Sequence, residues 1–187
     1  MIGVVQLAGA LALLLSIALL CARRTGTAVG TCAVQSLLVA AVLAAPGWRH
    51  ASLAVVAFAL SGVAIPLVLQ RLRERSGMAP VIAMRRGDVV TWIAALVLLV
   101  ATVATFTQVR VGGATDALGF GVSITLLGLL LVARRPHPLA PALGLLSAQN
   151  GLILVAGATT DLPLPALLVV IVPLVPALLA ANAWLRQ

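Results

Sequence analysis

Two adjacent carboxamides are the residues of this chain whose type and position most clearly call for a chemical role. Gln149 and Asn150 precede Gly151 within an otherwise apolar stretch that follows Leu139. A carboxamide left unsatisfied in hydrocarbon is costly, so both side chains must contact protein or water. A helical rise of about 1.5 Å per residue puts Asn150 roughly 16 Å beyond Leu139. The sequence therefore predicts a buried polar site near the middle of this helix.

Ser147 and Gln35 are further candidates for the same polar site, because each lies in an apolar stretch. Amides and hydroxyls donate and accept hydrogen bonds but do not titrate near neutral pH. Two roles stay open for these residues: they lock helices together, or they line a file of water. Comparable neutral polar residues in other apolar stretches are Ser36, Thr102, Thr105, Thr107, Ser123, Thr125 and Asn182.

Titratable residues are few and lie away from this predicted site. The four acids are in loops or at predicted helix ends, where Asp88 and Asp116 suit N-terminal capping. The two histidines are predicted on opposite sides of the membrane, and the two cysteines are isolated from other metal-ligating residues. We expect no metal, no cofactor and no autonomous enzyme. The residues concerned are Glu74, Asp88, Asp116, Asp161, His50, His137, Cys21 and Cys32.

The elements that must position the amides are membrane helices. Mean hydropathy is +1.21, with 63% hydrophobic and 9% charged residues. Apolar runs of about 20 residues are long enough to cross a hydrocarbon layer of about 30 Å. The net charge of +8 comes from arginine clusters between these runs. Arginines without interleaved aromatic residues argue for membrane topology and against nucleic-acid binding.

Seven membrane spans are predicted, which makes the fold class an all-α polytopic helix bundle. The spans are 2–22, 27–45, 51–70, 88–108, 116–133, 138–158 and 165–185. Ten of the twelve arginines fall on one side, namely Arg23, Arg24, Arg71, Arg73, Arg75, Arg85, Arg86, Arg134, Arg135 and Arg186. Because cytoplasmic loops hold the excess of positive charge, we expect the N-terminus outside and the C-terminus in the cytoplasm. The first span lacks a basic n-region, so we expect a permanent span in the inner (plasma) membrane.

The loop 111–115 divides the predicted helices into a four-helix segment, 1–110, and a three-helix segment, 111–187. A basic turn, Arg134, Arg135 and His137, precedes the helix that carries the amides. His137 is either an interfacial histidine or a proton donor at the cytoplasmic mouth of a path. The arginines between 71 and 86 reflect topology alone, or contact anionic lipid or an acidic partner.

The C-terminal segment resembles a known family in the order and spacing of several short motifs. They are Gly128, Arg134-Arg135, Leu139, Gly144, Leu146, Asn150-Gly151-Leu152 and a proline-led last helix at Pro163 or Pro165. This pattern resembles component E, a membrane subunit of hydrogenase-4 and formate hydrogenlyase. The last three helices of that family are similar to subunit K of respiratory complex I. The resemblance implies antiporter-like and hydrogenase-like partner subunits, a lipid bilayer and participation in proton translocation.

Two departures from the family pattern bear on that implication. Members usually carry Glu-Asn-Gly where this chain has Gln149-Asn150-Gly151, and a second acid in the last helix, where this chain is apolar between Leu167 and Leu179. A carboxamide cannot take up and release a proton as a carboxylate does. We therefore expect a non-catalytic subunit that links partners and assists proton movement at most. The alternative is a stand-alone small transporter that uses the amides and a proline-kinked last helix.

Overall fold

The computed structural model describes residues 2–44, 55–75, 88–108, 115–134 and 139–159, which form an all-α bundle. Its helices are α1 (Ile2–Cys21), α2 (Thr25–Ala44), a π-helical segment (Phe58–Ala64) that continues into α3 (Ile65–Arg75), α4 (Asp88–Gln108), α5 (Thr115–Arg134) and α6 (Ala140–Thr159). Within these residues the all-α prediction is confirmed.

The first six predicted spans coincide with these helices to within a few residues. The break at Arg23-Arg24 is one example: α1 ends at Cys21, and the Ala28 amide donates to the Arg24 carbonyl as α2 begins. The seventh predicted span, 165–185, lies outside the described residues.

One described helix, Thr25–Ala44, is long and apolar enough to cross a membrane by length and composition. The shorter apolar helices are Gln6–Cys21, Val55–Arg71, Val89–Thr102, Leu118–Ala133 and Ala140–Ala156. The seven-span topology therefore stays a prediction, as does the division at 111–115, of which 111–114 lie outside the described residues.

The π-helical segment lies directly before Ile65 and Pro66, and Pro66 lacks a backbone N–H. In a regular α-helix that N–H would bond to the Gly62 carbonyl. Instead the ladder widens by one residue, and the Ile65 N–H donates to the Leu60 carbonyl, five positions back. Such π-helical turns occur mostly as single-turn insertions and are frequent at functional sites. This segment was not predicted from the sequence.

Helices α5 and α6 form the closest pair, and glycines allow the close approach. A Cβ on Gly128 would lie 2.5 Å from the Ala148 nitrogen and 2.6 Å from the Gly144 oxygen. A Cβ on Gly121 would lie 2.7 Å from the Gly151 oxygen. As Gly121 meets Gly151 and Gly128 meets Gly144, the two helices run antiparallel. The glycines are seven residues apart on each helix and pack backbone against backbone, as in membrane helix pairs.

Contacts between α2 and α6 advance in the same direction along both helices, so this pair is parallel. The Cys32 Sγ contacts the Leu143 carbonyl at 3.7 Å, and Ser36 contacts Asn150 one turn later on α2 and about two turns later on α6. Helix α1 packs on α2 and α5, while the π-helical segment and α3 pack on α2.

Two apolar cores stack along the bundle. The first includes Leu19, Val29, Leu69, Leu131 and Leu143. The second includes Ala12, Val39, Leu43, Ile124 and Ile153.

Large apolar side chains also lie on the outer surface of the described helices. On α4 the exposed residues include Val89, Ile93, Leu96, Val97 and Val100, each more than half exposed. Leu7 and Leu14 of α1 are also more than half exposed. Apolar faces of this extent are unusual on soluble monomers and mark lipid or protein interfaces.

Candidate functional site

Six polar residues form a continuous band across four helical elements, and we call this band the polar belt. Each of its members is at most 2% exposed. The members are Ser16 of α1, Gln35 and Ser36 of α2, Gln149 and Asn150 of α6, and Ser61 of the π-helical segment.

Asn150 joins α6 to α2 through Ser36. The Asn150 Nδ2 donates to the Ser36 Oγ at 2.9 Å. The Ser36 hydroxyl has two acceptors in reach, the Cys32 carbonyl at 3.0 Å and the Asn150 Oδ1 at 3.3 Å. Since one hydroxyl proton serves one acceptor well at a time, Ser36 can alternate between them.

Gln149 joins α6 to the π-helical segment. Its Nε2 donates to the Ser61 Oγ at 3.1 Å. The wider turn brings Gly62 against α2, where a Cβ on Gly62 would lie 3.4 Å from the Ser36 Cβ. The two amide contacts of α6 therefore converge on one region of the bundle.

Gln35 carries the belt from α2 to α1. Its Nε2 donates to the Ser16 Oγ at 2.6 Å and lies 3.4 Å from the Ala12 carbonyl. The Ser16 hydroxyl donates in turn to that same carbonyl at 3.1 Å. Because Gln35 and Ser36 are consecutive, as are Gln149 and Asn150, the hydrogen-bonded pairs join into one band.

The polar belt lies between the two apolar cores. Along α2, the first core ends at Cys32 and the second begins at Val39, with Gln35 and Ser36 between them. Along α6, the belt residues fall between Leu146 and Ile153. Apolar layers on both sides exclude solvent, which strengthens each hydrogen bond and raises the cost of leaving one unmade.

Three buried polar atoms in or beside the belt have no hydrogen-bond partner in the described part of the chain. They are the Gln35 Oε1, the Gln149 Oε1 and the Ser147 Oγ. Ser147 is 1% exposed and lies one turn before Asn150 on α6.

The structure therefore joins Gln35, Gln149 and Asn150 of the predicted site, and it buries Ser147 beside them. Arg134 ends α5; its side chain, Arg135 and His137 lie outside the described residues. Ser16 and Ser61, the hydroxyl partners of the two glutamines, were not predicted from the sequence. Ser61 precedes Gly62 in an apolar stretch shortly before Pro66, and this combination is the signal that would have indicated it.

The belt offers hydrogen bonding rather than proton transfer. Among the residues described, the buried polar side chains are all serine, threonine, glutamine or asparagine. No group of three or more His, Cys, Asp or Glu residues in the described helices could hold a metal ion. The arrangement can hold helices in register, order water or bind a small polar molecule.

Comparison of the chain with protein-family models, with curated proteins and with solved structures gives no match.

Proposed function

We propose that the chain is a non-catalytic integral membrane subunit of a group 4 hydrogenase-like, complex I-related assembly. In this role it links antiporter-like subunits to the hydrogenase-like module. Its amides hold the helices in register and assist proton movement only through ordered water. The proposal includes seven spans in the inner membrane, the N-terminus outside and the C-terminus in the cytoplasm.

The observation that carries the proposal is the uncharged character of the polar belt. Gln149 occupies the position where the resembling family has a glutamate, and it is 1% exposed and hydrogen-bonded to Ser61. Buried hydrogen-bonded amides in an apolar bundle suit specific helix association. They do not suit a proton carrier, which needs a group that titrates.

The distribution of apolar and charged residues supports the membrane part of the proposal. Apolar side chains fill the cores and also cover α4, as expected where lipid is the solvent. Described arginines gather where the first apolar core ends: Arg23 and Arg24 lie between α1 and α2, and the exposed Arg71 and Arg75 lie near the end of α3. One basic end of the bundle is the pattern of a cytoplasmic face.

Orientation of the helices agrees with the proposed spans. Because successive spans alternate in direction, two spans whose numbers differ by an even number run in the same direction. The proposed second and sixth spans correspond to α2 and α6, which are parallel. Neighbouring spans must run in opposite directions, as α5 and α6 do.

Co-purification from the native host tests the proposal. A tagged chain, extracted from its own membranes in mild detergent, is expected to bring antiporter-like and hydrogenase-like proteins in fixed ratio. Genes for such proteins are expected beside its own gene. A stable monomer or homo-oligomer with no such neighbours would refute the assignment.

A stand-alone small transporter is the second candidate, and the unpartnered Gln35 Oε1, Gln149 Oε1 and Ser147 Oγ favour it. Buried polar atoms without a protein partner are the kind of group that can orient a small ligand. Uptake of a small polar solute by vesicles containing the purified chain alone would support this candidate against the first.

A further inference from the structure

Gln149 and Ser61 have hydrogen-bonding capacity that the described protein atoms do not use. The Gln149 Nε2 donates to the Ser61 Oγ at 3.1 Å, but the Gln149 Oε1 accepts from nothing. The Ser61 Oγ accepts this bond, and its own proton has no acceptor in the described helices. An acceptor and a donor are thus left over at the same contact.

The π-helical segment adds a third unused group. The Ile65 N–H donates to the Leu60 carbonyl, and Pro66 has no N–H. The Ser61 carbonyl would accept from the N–H of residue 65 in an α-helix and from that of residue 66 in a π-helix. Because the first N–H is used by Leu60 and the second is missing, the helical ladder assigns no donor to this carbonyl. Ser61 is 1% exposed, so bulk solvent does not reach this group.

We propose that a buried water molecule is bound at this point, held by Ser61 and Gln149. The water accepts from the Ser61 hydroxyl and donates to the Gln149 Oε1 and to the Ser61 carbonyl. Three hydrogen bonds are the usual number for buried water, which commonly satisfies groups of this kind. Pro66 builds the site because it opens the ladder. The water site does not depend on the partners proposed above.

The cost of a dry site supports the water. Each buried polar atom without a partner loses its hydration and regains nothing, whereas one water satisfies all three groups together. The Ser36 hydroxyl, on the α2 surface that Gly62 approaches, is already directed to the Cys32 carbonyl or the Asn150 Oδ1.

Water-edited solid-state NMR on the full chain in lipid vesicles tests the proposal. Magnetisation is transferred from water to carbon-labelled side chains, and the Gln149 signal is identified by its loss in Gln149→Met. Exposed Gln70 is the hydrated reference, and fully buried Ile153 of the second core is the dry one. We expect transfer to Gln149 well above that to Ile153. Transfer equal to that of Ile153 would overturn the proposal.

Pro66→Ala is the variant that tests how the site is built. It restores an N–H without removing either side-chain partner, and it replaces a proline by a good helix former. The restored ladder can satisfy the Ser61 carbonyl, so we expect transfer from water to Gln149 to fall toward the Ile153 level. Unchanged transfer would show that Pro66 does not create the site.

Discussion

Gly128→Ala is expected to weaken the contact that positions the amide-bearing helix. The added Cβ would lie 2.5 Å from the Ala148 nitrogen, about 0.9 Å inside the 3.4 Å where ordinary contact begins. The Gly144 oxygen, at 2.6 Å, is equally close. Both obstacles are backbone atoms, which cannot rotate away, so α5 and α6 must separate. Overpacking of this kind costs about 1–3 kcal/mol.

Gly30→Ala is the matched control, since a Cβ there meets nothing within 4 Å. Both substitutions raise helix propensity by up to about 1 kcal/mol, so this contribution cancels in the comparison. We expect the free energy of unfolding of Gly128→Ala to lie about 1–3 kcal/mol below that of Gly30→Ala. Reversible unfolding in mixed micelles, followed by circular dichroism, measures the difference. Equal stability of the two variants would refute the backbone contact between α5 and α6.

Three further predictions concern the belt and the membrane. Asn150→Ala and Ser36→Ala should each lower the free energy of unfolding by about 1–3 kcal/mol. The double variant should lose less stability than the sum of the two single losses, because both remove the same hydrogen bond. A loss equal to that sum would contradict the hydrogen bond between Asn150 and Ser36. In a variant whose only tryptophan is Trp92, 39% exposed on α4, brominated lipid should quench fluorescence; quenching by aqueous iodide instead would argue against a lipid-facing α4. An impermeant maleimide should label exposed Cys21 from the cytoplasmic side and leave buried Cys32 unlabelled; labelling of Cys21 from outside would reverse the topology.

Helix positions were predictable because strong local signals define them. Paired arginines at 23 and 24 interrupt two apolar runs, and α1 and α2 end and begin there. Burial of Gln149 and Asn150 was predictable for a similar reason, since an amide in a long apolar run must face protein or water to form its hydrogen bonds.

Partners of the amides were harder to predict because serine is a weak signal in an apolar helix. Its hydroxyl can bond to the carbonyl of the preceding turn, as Ser16 does to Ala12, so it demands no partner. Ser61 contacts Gln149 from within the π-helical turn, and a serine in an apolar run does not by itself indicate such a turn.

Glycine pairing between α5 and α6 depends on two helices at once. Gly128 and Gly144 stand out in the sequence for their positions in the family pattern, but the sequence did not predict that they face each other. That Gly128 faces Gly144, and Gly121 faces Gly151, follows from the antiparallel register. Register is set by packing along the whole pair, which no single segment reveals.

The native mass and composition of the particle that contains this chain test the central claim most directly. Membranes of the native host are solubilised in mild detergent, the tagged chain is resolved by native electrophoresis, and co-migrating proteins are quantified by mass spectrometry. The account predicts one particle far larger than the 19.0 kDa chain, with antiporter-like and hydrogenase-like subunits in stoichiometric amounts. A particle that contains this chain alone would contradict it.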